Sequence, residues 1–243
     1  MIWHDIEQRT LAWQQLRLGI PTASEFHRIM TPKKRGFSSQ AHDYMYDLLE
    51  EWWTGEQTEV QQNQGYWVKH GVQFEDEAVH NYEFRQNVDT SRGGFFTTDD
   101  GLIGCSPDRL VGEEGILEIK CVALSTQIRT LLTKSVSDHI TQIQGQLLIT
   151  KRKWCDVFSY HPKMPLDPIR VLRDEAFIRD LDGCLQLFVK DLVRMRLEVI
   201  ERGFPPPEHA PAPEEEERSL LGVSQEDVDL IFASRRREQE EAR

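Results

Sequence analysis

The stretch CSPDRLVGEEGILEIKC, residues 105–121, constrains this chain more than any other, because it places charged side chains inside an otherwise apolar hairpin. Its two apolar runs, separated by GEEG, are typical of antiparallel strands joined by a short loop. In GILEIK, alternation puts Leu117 and Ile119 on one face of the strand and Glu118 and Lys120 on the other. Taken alone, this pattern is typical of any half-exposed strand.

The length of the loop decides what Asp108 faces. If the loop consists of residues 112–114, Asp108 lies across from Glu118, with Cβ atoms about 5 Å apart. A two-residue loop would instead place Asp108 opposite Ile119. Two carboxylates in direct opposition repel each other, so the first arrangement requires a compensating cation. Carboxylates and water suit Mg²⁺ or Mn²⁺, whereas zinc usually recruits His or Cys.

A divalent ion in this hairpin would suit phosphodiester chemistry. Such an ion polarises a phosphate and lowers the pKa of a bound water. Lys120 would lie beside it, placed to orient or deprotonate that water and to stabilise the negative transition state. The spacing therefore indicates metal-assisted phosphodiester cleavage, and a solvated ion pair on a strand surface is the alternative.

The rest of the chain predicts helices around a mixed sheet. Residues 11–30 indicate a helix, a turn at Pro21 and a second helix capped by Thr22 or Ser24, followed by a basic loop over 31–39. Further helices are predicted from Ser38 or Ser39, around GVQFEDEAVHNYEF, over SVSDHITQIQGQLLIT with Val136, Ile140, Ile143 and Leu147 on one face, and from about 174 to 201. Strands are predicted at GFFTTDD, GLIGCSPDRLV, GILEIKC and KWCDVFSYH. This order predicts an α/β fold, a mixed sheet flanked by helices.

Glu75 is the acid of the predicted helix around GVQFEDEAVHNYEF that is best placed to face inward. The apolar stripe of that helix consists of Trp67, Gly71, Phe74, Ala78 and Tyr82. At about 100° per residue, Glu75 falls on the edge of the stripe, while Asp76 points away. The alternative is a boundary glutamate whose stem packs and whose carboxylate reaches water.

Composition bounds the class of protein. The chain has 243 residues, 39% of them hydrophobic, which suits one domain over 1–205 followed by an acidic, proline-rich linker and short helix over 206–243. No apolar run approaches the roughly 20 residues of a membrane span, and no signal peptide is recognisable, so we expect a soluble, cytoplasmic protein. The four cysteines form no C-x-x-C pair and are expected to be reduced and packed, with an iron–sulphur cluster as the minor alternative.

The charge of the chain argues against broad affinity for nucleic acid. The formal net charge is −12, and such a chain repels phosphates over most of its surface. Residues 208–243, with eleven acids against five arginines, supply −6 of that charge. The remaining body is only mildly acidic and can still present a local basic groove.

At this point the sequence resembles the PD-(D/E)xK nucleases, and within them the phage lambda exonuclease or YqaJ-type viral recombinase family. The words WQQLRLGIPTASEFHRIM, GVQFEDEAVHNYEF, GCSPDRLV, LEIKC and ITQIQGQLLIT occur in that family's order and spacing, over roughly residues 3–205. The resemblance implies a restriction-endonuclease-like core. It also implies a phage or prophage enzyme of the bacterial cytoplasm, a Mg²⁺-dependent homotrimeric exonuclease that degrades the 5′-ended strand of duplex DNA. Such an enzyme supplies 3′ single strands to a single-strand annealing protein; Mn²⁺ can substitute for Mg²⁺.

The resemblance also assigns roles to residues of the reaction centre. It implies that Asp108 and Glu118 are metal ligands, that Lys120 is the catalytic lysine, and that Glu75 and Gln142 are further catalytic residues. Helical phase puts Gln142 opposite the apolar stripe of its helix, so a solvent-facing glutamine is the alternative.

Three more residues match those that bind the terminal 5′-phosphate in the family: Arg17, Ser24 and Ser106. An arginine fork with two hydroxyls suits a terminal phosphate. The alternatives are a surface ion pair for Arg17, a helix cap for Ser24 and a turn hydroxyl for Ser106.

Two other functions share these motifs. One is another nuclease of the superfamily, a repair or restriction endonuclease, which would cut closed circular DNA. The other is a non-catalytic scaffold that binds DNA ends; the intact set of two acids and a lysine argues against it. For residues 206–243, disorder and a docking role toward a partner are both open.

Overall fold

The computed structural model describes residues 1–58 and 65–204; of residues 65–73 only the helical backbone is described. The strands in this part of the chain are β1 (Ile2–His4), β2 (Met30–Thr31), β3 (Gly36–Phe37), β4 (Thr90–Arg92), β5 (Phe95–Thr97), β6 (Gly104–Cys105), β7 (Arg109–Val111), β8 (Gly115–Cys121), β9 (Trp154–Tyr160) and β10 (Ile169–Leu172). The α-helices are α1 (Leu11–Arg17), α2 (Ala41–Thr54), α3 (Gly65–Gln86), α4 (Leu124–Thr133), α5 (Ile140–Thr150) and α6 (Glu175–Glu201). Short 3₁₀ helices cover Ala23–Arg28 and Ser137–His139.

The main sheet has five strands in the order β10-β9-β8-β7-β4. Strands β8 and β9 are parallel, and the other neighbouring pairs are antiparallel, which confirms the predicted mixed sheet. Most of β8 is buried because α-helices cover the sheet, so its charged face lies in the interior rather than in water.

The β7–β8 hairpin has the longer of the two predicted loops. Val111 pairs with Gly115 and Arg109 with Leu117, which leaves residues 112–114 as the loop. Asp108 comes one position before Arg109 and therefore falls across from Glu118. The three-residue loop is confirmed, and it brings the two acids together.

The prediction of one strand over GLIGCSPDRLV is wrong. This stretch supplies β6 to a separate three-stranded sheet, β1-β5-β6, and β7 to the main sheet. The connection between them contains Pro107, which has no N–H to donate to a ladder. Gly93 permits the crossing, because a Cβ there would lie 1.7 Å from the carbonyl oxygen of Pro107.

Two long helices agree with the sequence pattern. The predicted final helix is α6, which Asp174 caps by accepting the N–H groups of Ala176 and Phe177, each at 3.0 Å. Its predicted stripe is in the core, with Phe177, Leu181, Leu185, Phe188 and Leu192 buried and Met195 packed against them. The predicted face of α2 is also in the core, with Ala41, Tyr44, Met45, Leu48 and Trp52 buried and Leu49 partly buried.

Several predicted boundaries near the N-terminus are wrong. The second helix of residues 11–30 is a 3₁₀ helix that begins after Thr22, whose side chain makes no capping bond. Ser24 lies inside that helix and so is not its cap. The predicted basic loop contains a two-stranded hairpin, β2–β3, and α2 begins at Ala41 rather than at 38 or 39.

Two further differences concern the segment after β8. The sequence interpretation missed α4 altogether, since its apolar residues Leu124, Ile128, Leu131 and Leu132 are exposed and mark no core. Val136 precedes α5, so the predicted helical face begins at Ile140. In the described residues no helix is long and apolar enough to cross a membrane. The predicted linker and terminal helix of 206–243 lie outside the described residues.

The four cysteines are unpaired, as expected. Cys105, Cys155 and Cys184 are buried, and Cys121 is half-buried. Burial raises the pKa of the Cys105 and Cys155 thiols well above the ordinary value, so both are neutral. They act as small apolar side chains in the core.

Candidate active site

Asp108 sits at the crossing between the two sheets. Its Oδ2 accepts a hydrogen bond of 2.6 Å from the backbone N–H of Ile119, so the carboxylate is fixed against β8. The side chain of Gln8 donates to the carbonyl of Pro107 at 2.7 Å and holds the crossing in place. The acid that precedes β7 is therefore positioned by backbone rather than by chance packing.

Glu118 is buried, and both of its carboxylate oxygens accept hydrogen bonds. Its Oε1 accepts hydrogen bonds from Lys120 Nζ and Gln142 Nε2, and its Oε2 accepts one from Gln146 Nε2, each at 2.7 Å. Lys120 Nζ also donates to Gln142 Oε1 at 3.1 Å. The structure thus places Gln142 in the site and excludes the solvent-facing alternative for it.

Gln146 is a site residue that the sequence interpretation missed. The spacing of Gln142 and Gln146 in QIQGQ, four residues apart, puts both on one face of α5 and was the available signal. Gln146 is only 1% exposed, and its Oε1 has no hydrogen-bond partner among the described residues. This buried acceptor oxygen lies on the side chain that holds Glu118.

The charges of the site perturb one another strongly. Burial raises the pKa of Asp108 well above its usual range, and the negative charges of Glu118 and Glu75 raise it further, against the opposing effects of Lys120 and the Ile119 N–H. Burial lowers the pKa of Lys120, but the attraction of Glu118 and Asp108 outweighs it and raises that pKa. Lys120 is therefore an ammonium donor in this arrangement.

The donor set fits a hard divalent cation. Asp108 and Glu118 offer carboxylate oxygens; burial and the charge of Glu118 disfavour the ionised form of Asp108, and a cation would relieve that cost. In the described part of the chain, no group of three or more His, Cys, Asp or Glu residues is assembled as a metal site. The structure thus brings the two predicted ligands together, and Glu75 does not complete a three-ligand group with them.

Glu75 faces the cleft on the far side of Asp108. This cleft, of about 260 Å³, is lined by four acids, Glu7, Glu75, Asp76 and Asp108, and by Arg9, Arg92 and Arg109. Glu75 is half-buried and forms an ion pair with Arg9. Asp76 is exposed, as predicted. Glu75 thus lies at the boundary between core and solvent with an arginine as its partner, and its role in the site stays a prediction.

The three residues predicted to bind a terminal phosphate are linked through two others. The guanidinium of Arg17 lies 4.2 Å from the ring centroid of Trp13 and donates to Thr22 Oγ1 at 3.3 Å. The hydroxyls of Thr22 and Ser24 are 3.4 Å apart. Trp13 Nε1 donates to Ser106 Oγ at 2.9 Å. Sequence reasoning did not single out Trp13 or Thr22 as members of this group.

This second cluster adjoins the first. Thr22 forms an isolated parallel bridge with Gly104, which immediately precedes the crossing that carries Ser106 and Asp108. Two residues of extended backbone span at most about 7 Å. The Ser106 hydroxyl and the Asp108 carboxylate are thus held close together by one short stretch of backbone.

Comparison with known proteins identifies a family and a fold. The model of the YqaJ-like viral recombinase domain matches residues 12–153. Among solved structures, the chain resembles an alkaline exonuclease (LHK-Exo) from Laribacter hongkongensis, with 29% identity and a TM-score of 0.70, covering 79% of this chain and 97% of that one. The same exonuclease in complex with dAMP gives 30% identity, a TM-score of 0.69 and the same coverage.

A more distant structure supports the fold alone. A phage related exonuclease from Haemophilus somnus 129PT has 11% identity and a TM-score of 0.56, covering 74% of this chain and 96% of that one. No curated protein sequence matches the chain. The predicted restriction-endonuclease-like core is confirmed by these likenesses together with the mixed sheet.

Proposed function

Because the chain belongs to the YqaJ-like viral recombinase family, we propose that it is a Mg²⁺-dependent exonuclease that degrades one strand of linear duplex DNA from a 5′-phosphorylated end. The family and the alkaline exonuclease neighbours make it a nuclease of the lambda exonuclease type. Strand polarity, the duplex substrate and the metal are the parts that we propose. The 3′ single strands left behind would serve recombination by strand annealing.

One observation carries the proposal: Ser106 and Asp108 lie two residues apart on the same crossing. A phosphate held by Arg17, Ser24 and Ser106 would therefore lie beside the carboxylates. An enzyme that must hold a terminal phosphate in order to cut next to it acts only at ends. This geometry supports an end-dependent exonuclease over an endonuclease.

The residues of the network divide the chemistry among them. Asp108 and Glu118 would hold Mg²⁺, which supplies a Lewis acid and a water of lowered pKa. Lys120, kept protonated by its acidic neighbours, donates to the developing negative charge and orients the attacking water. Gln142 holds the Lys120 ammonium, and Gln146 holds the second oxygen of Glu118.

The phosphate cluster supplies specificity for the substrate end. Arg17 is pre-oriented by the Trp13 ring and Thr22, so little side-chain entropy is lost when its fork meets a phosphate. Ser24 and Ser106 each present a hydroxyl to the same region. Glu75 would contribute a further carboxylate to the cleft once a cation or DNA competes for Arg9. On family grounds we also propose a homotrimer, a phage-type origin and a single-strand annealing protein as partner.

The test is degradation of linear duplex DNA with a 5′-phosphate or a 5′-hydroxyl, in Mg²⁺ and in EDTA. We expect metal-dependent loss of the phosphorylated strand and no cutting of closed circles. Loss of one preorganised donor costs roughly 100- to 1000-fold in rate, which we expect for Lys120→Ala. Arg17→Ala should remove the preference for the 5′-phosphate.

Metal binding has a test that does not depend on activity. A ligand that binds only the folded state raises its thermal midpoint by mass action. We therefore expect Mg²⁺ to raise the midpoint of the wild-type protein and to leave that of Asp108→Asn nearly unchanged. Cutting of circles would identify an endonuclease, and end binding without cleavage in any divalent metal would identify a scaffold.

A further inference from the structure

A second cavity adjoins Lys120 on the side away from Asp108. It measures about 290 Å³ and lies between β8, β9, α4 and the segment 134–139 that precedes α5. Lys120 forms one wall, Arg129 reaches it from α4, and His139 reaches it from the start of α5. Three successive elements between residues 115 and 139 thus bring basic side chains to one cavity.

The cavity is basic although the chain as a whole is acidic. Among its lining residues, Asp138 is the only carboxylate. Arg129 is exposed and has no salt bridge to any residue that the structure describes. Its guanidinium is therefore free to meet an anion, unlike that of Arg9, which is paired across the neighbouring cleft.

His139 lines the cavity as a neutral imidazole, because its pKa lies below the ordinary value. Burial lowers the pKa of His139, and the charges of Lys120 and His27 lower it further, while Glu118 and Asp138 raise it. His27 belongs to the same 3₁₀ helix as Ser24. The cationic side chains that line the cavity are therefore Lys120 and Arg129.

The remaining lining suits a nucleotide rather than a simple ion. Six hydroxyl side chains line the cavity, those of Thr126, Thr130, Thr133, Ser135, Ser137 and Ser159. Val122, Val136 and Val157 add an apolar wall. Basic groups and hydroxyls recognise phosphate and sugar, while a small apolar surface accepts the carbon atoms of a sugar or base.

The order of sites gives the direction in which a strand would run. A terminal phosphate at Ser106 would be followed by the scissile phosphate at Asp108, Glu118 and Lys120. Glu118 and Lys120 lie on the same face of β8, about 7 Å apart along the strand. Beyond Lys120 the next space on that face is the basic cavity.

We propose that this cavity binds the nucleotide that follows the scissile phosphate in the degraded strand, with Arg129 contacting its backbone phosphate. This inference rests on the proposed function, because it takes its direction from the terminal-phosphate cluster. It adds a contact that keeps the strand in place after each nucleotide leaves.

The test measures binding of DNA ends in EDTA, so that it is independent of catalysis. The full-length protein is compared with Arg129→Ala and with Arg179→Ala. Arg179 is exposed on α6 and forms no ion pair with the residues that the structure describes, so both variants make the same change on a helix surface. Each is tested on duplexes with all phosphates charged and on duplexes with one uncharged methylphosphonate linkage. That linkage lies either one position beyond the scissile phosphate or ten positions further along.

We expect Arg129→Ala to weaken binding about tenfold and to reduce the salt slope by about one, as for loss of one phosphate contact. The wild-type protein should lose a similar factor when the near linkage is uncharged, and Arg129→Ala should be insensitive to it. Arg179→Ala should behave as wild type throughout. Equal behaviour of the two arginine variants, or full sensitivity of Arg129→Ala to the near linkage, would overturn the inference.

The failure of this inference is distinguishable from failure of the proposed function. If Arg17→Ala keeps the preference for a 5′-phosphate, the terminal-phosphate site of the proposed function is refuted, and with it the strand direction. If that preference is lost while Arg129→Ala binds as wild type, the terminal site stands and the downstream subsite does not.

Discussion

Glu51 is a buried carboxylate whose ionisation should make the stability of this protein depend on pH. It lies on α2, is 3% exposed, and accepts a hydrogen bond from the N–H of Gly19 at 3.2 Å through Oε2. Burial raises its pKa to about 7, against the opposing effects of the Gly19 N–H and the charge of Arg17. Below that pH the folded protein therefore holds a proton on Glu51.

The sign of the effect follows from the two states. In the unfolded chain the Glu51 carboxyl has its ordinary pKa of 4.5. Between pH 4.5 and about 7 only the folded state binds the proton, so its contribution to stability is full below 4.5 and is lost as the pH rises through 7. The interval corresponds to about 3 kcal/mol of unfolding free energy.

Glu51→Gln isolates this effect. Glutamine keeps an oxygen for the Gly19 N–H and does not titrate, so any loss of packing shifts its stability equally at every pH. From pH 4.5 to pH 8, wild type should lose about 3 kcal/mol of unfolding free energy relative to Glu51→Gln, because only wild type titrates at this position. Urea unfolding at several pH values measures it.

The neighbouring residue provides a matched control. Glu50 is exposed on the same helix, so Glu50→Gln makes the same chemical change without burial. Its stability difference from wild type should stay within about 0.5 kcal/mol across the range. A pH-independent difference for Glu51→Gln would mean that Glu51 is ionised in the folded state at pH 5, and the reasoning from burial would then be wrong.

Two further predictions concern packing and a buried ion pair. At Gly145 on α5, a Cβ would lie 2.4 Å from the ring of buried Phe26, so Gly145→Ala should lower the free energy of unfolding by about 1–3 kcal/mol. Gly183 on α6 has open space, so Gly183→Ala should raise it by up to about 1 kcal/mol; equal effects would refute the packing argument. Asp156 is 1% exposed and accepts two hydrogen bonds of 2.8 Å from Arg170. Asp156→Asn should cost about 2–3 kcal/mol in urea unfolding, and a loss below 0.5 kcal/mol would contradict the assigned pairing.

The hairpin that carries the site could be predicted from the sequence because its determinants are local. Alternation in GILEIK sets which side chains share a face, and the loop of residues 112–114 sets the register that opposes Asp108 to Glu118. The α6 helix could be predicted equally well, since its apolar stripe and its cap at Asp174 lie within one continuous segment.

The missed parts depend on contacts that no local pattern encodes. The strands β2, β3 and β6 are two residues long, too short to show an alternating pattern, and are defined only by their backbone pairing with a neighbouring strand. Helix α5 is buried on most sides, so its phase carries little information about which polar face meets Glu118. For that reason Gln142 could be assigned only by resemblance, and Gln146 was not assigned.

The distribution of charge connects the acidic composition with a DNA substrate. The net charge of the chain is −12, so most of its surface repels the phosphates of a DNA duplex. Two of the arginines to which we assign DNA contacts lie next to clefts, Arg17 beside the carboxylate network and Arg129 at the basic cavity. On the proposed function, only a strand end can thread into such regions, because the flank of an intact duplex cannot enter. The acidic body then contributes to specificity for ends, by weakening the non-specific binding that a uniformly basic nuclease would have.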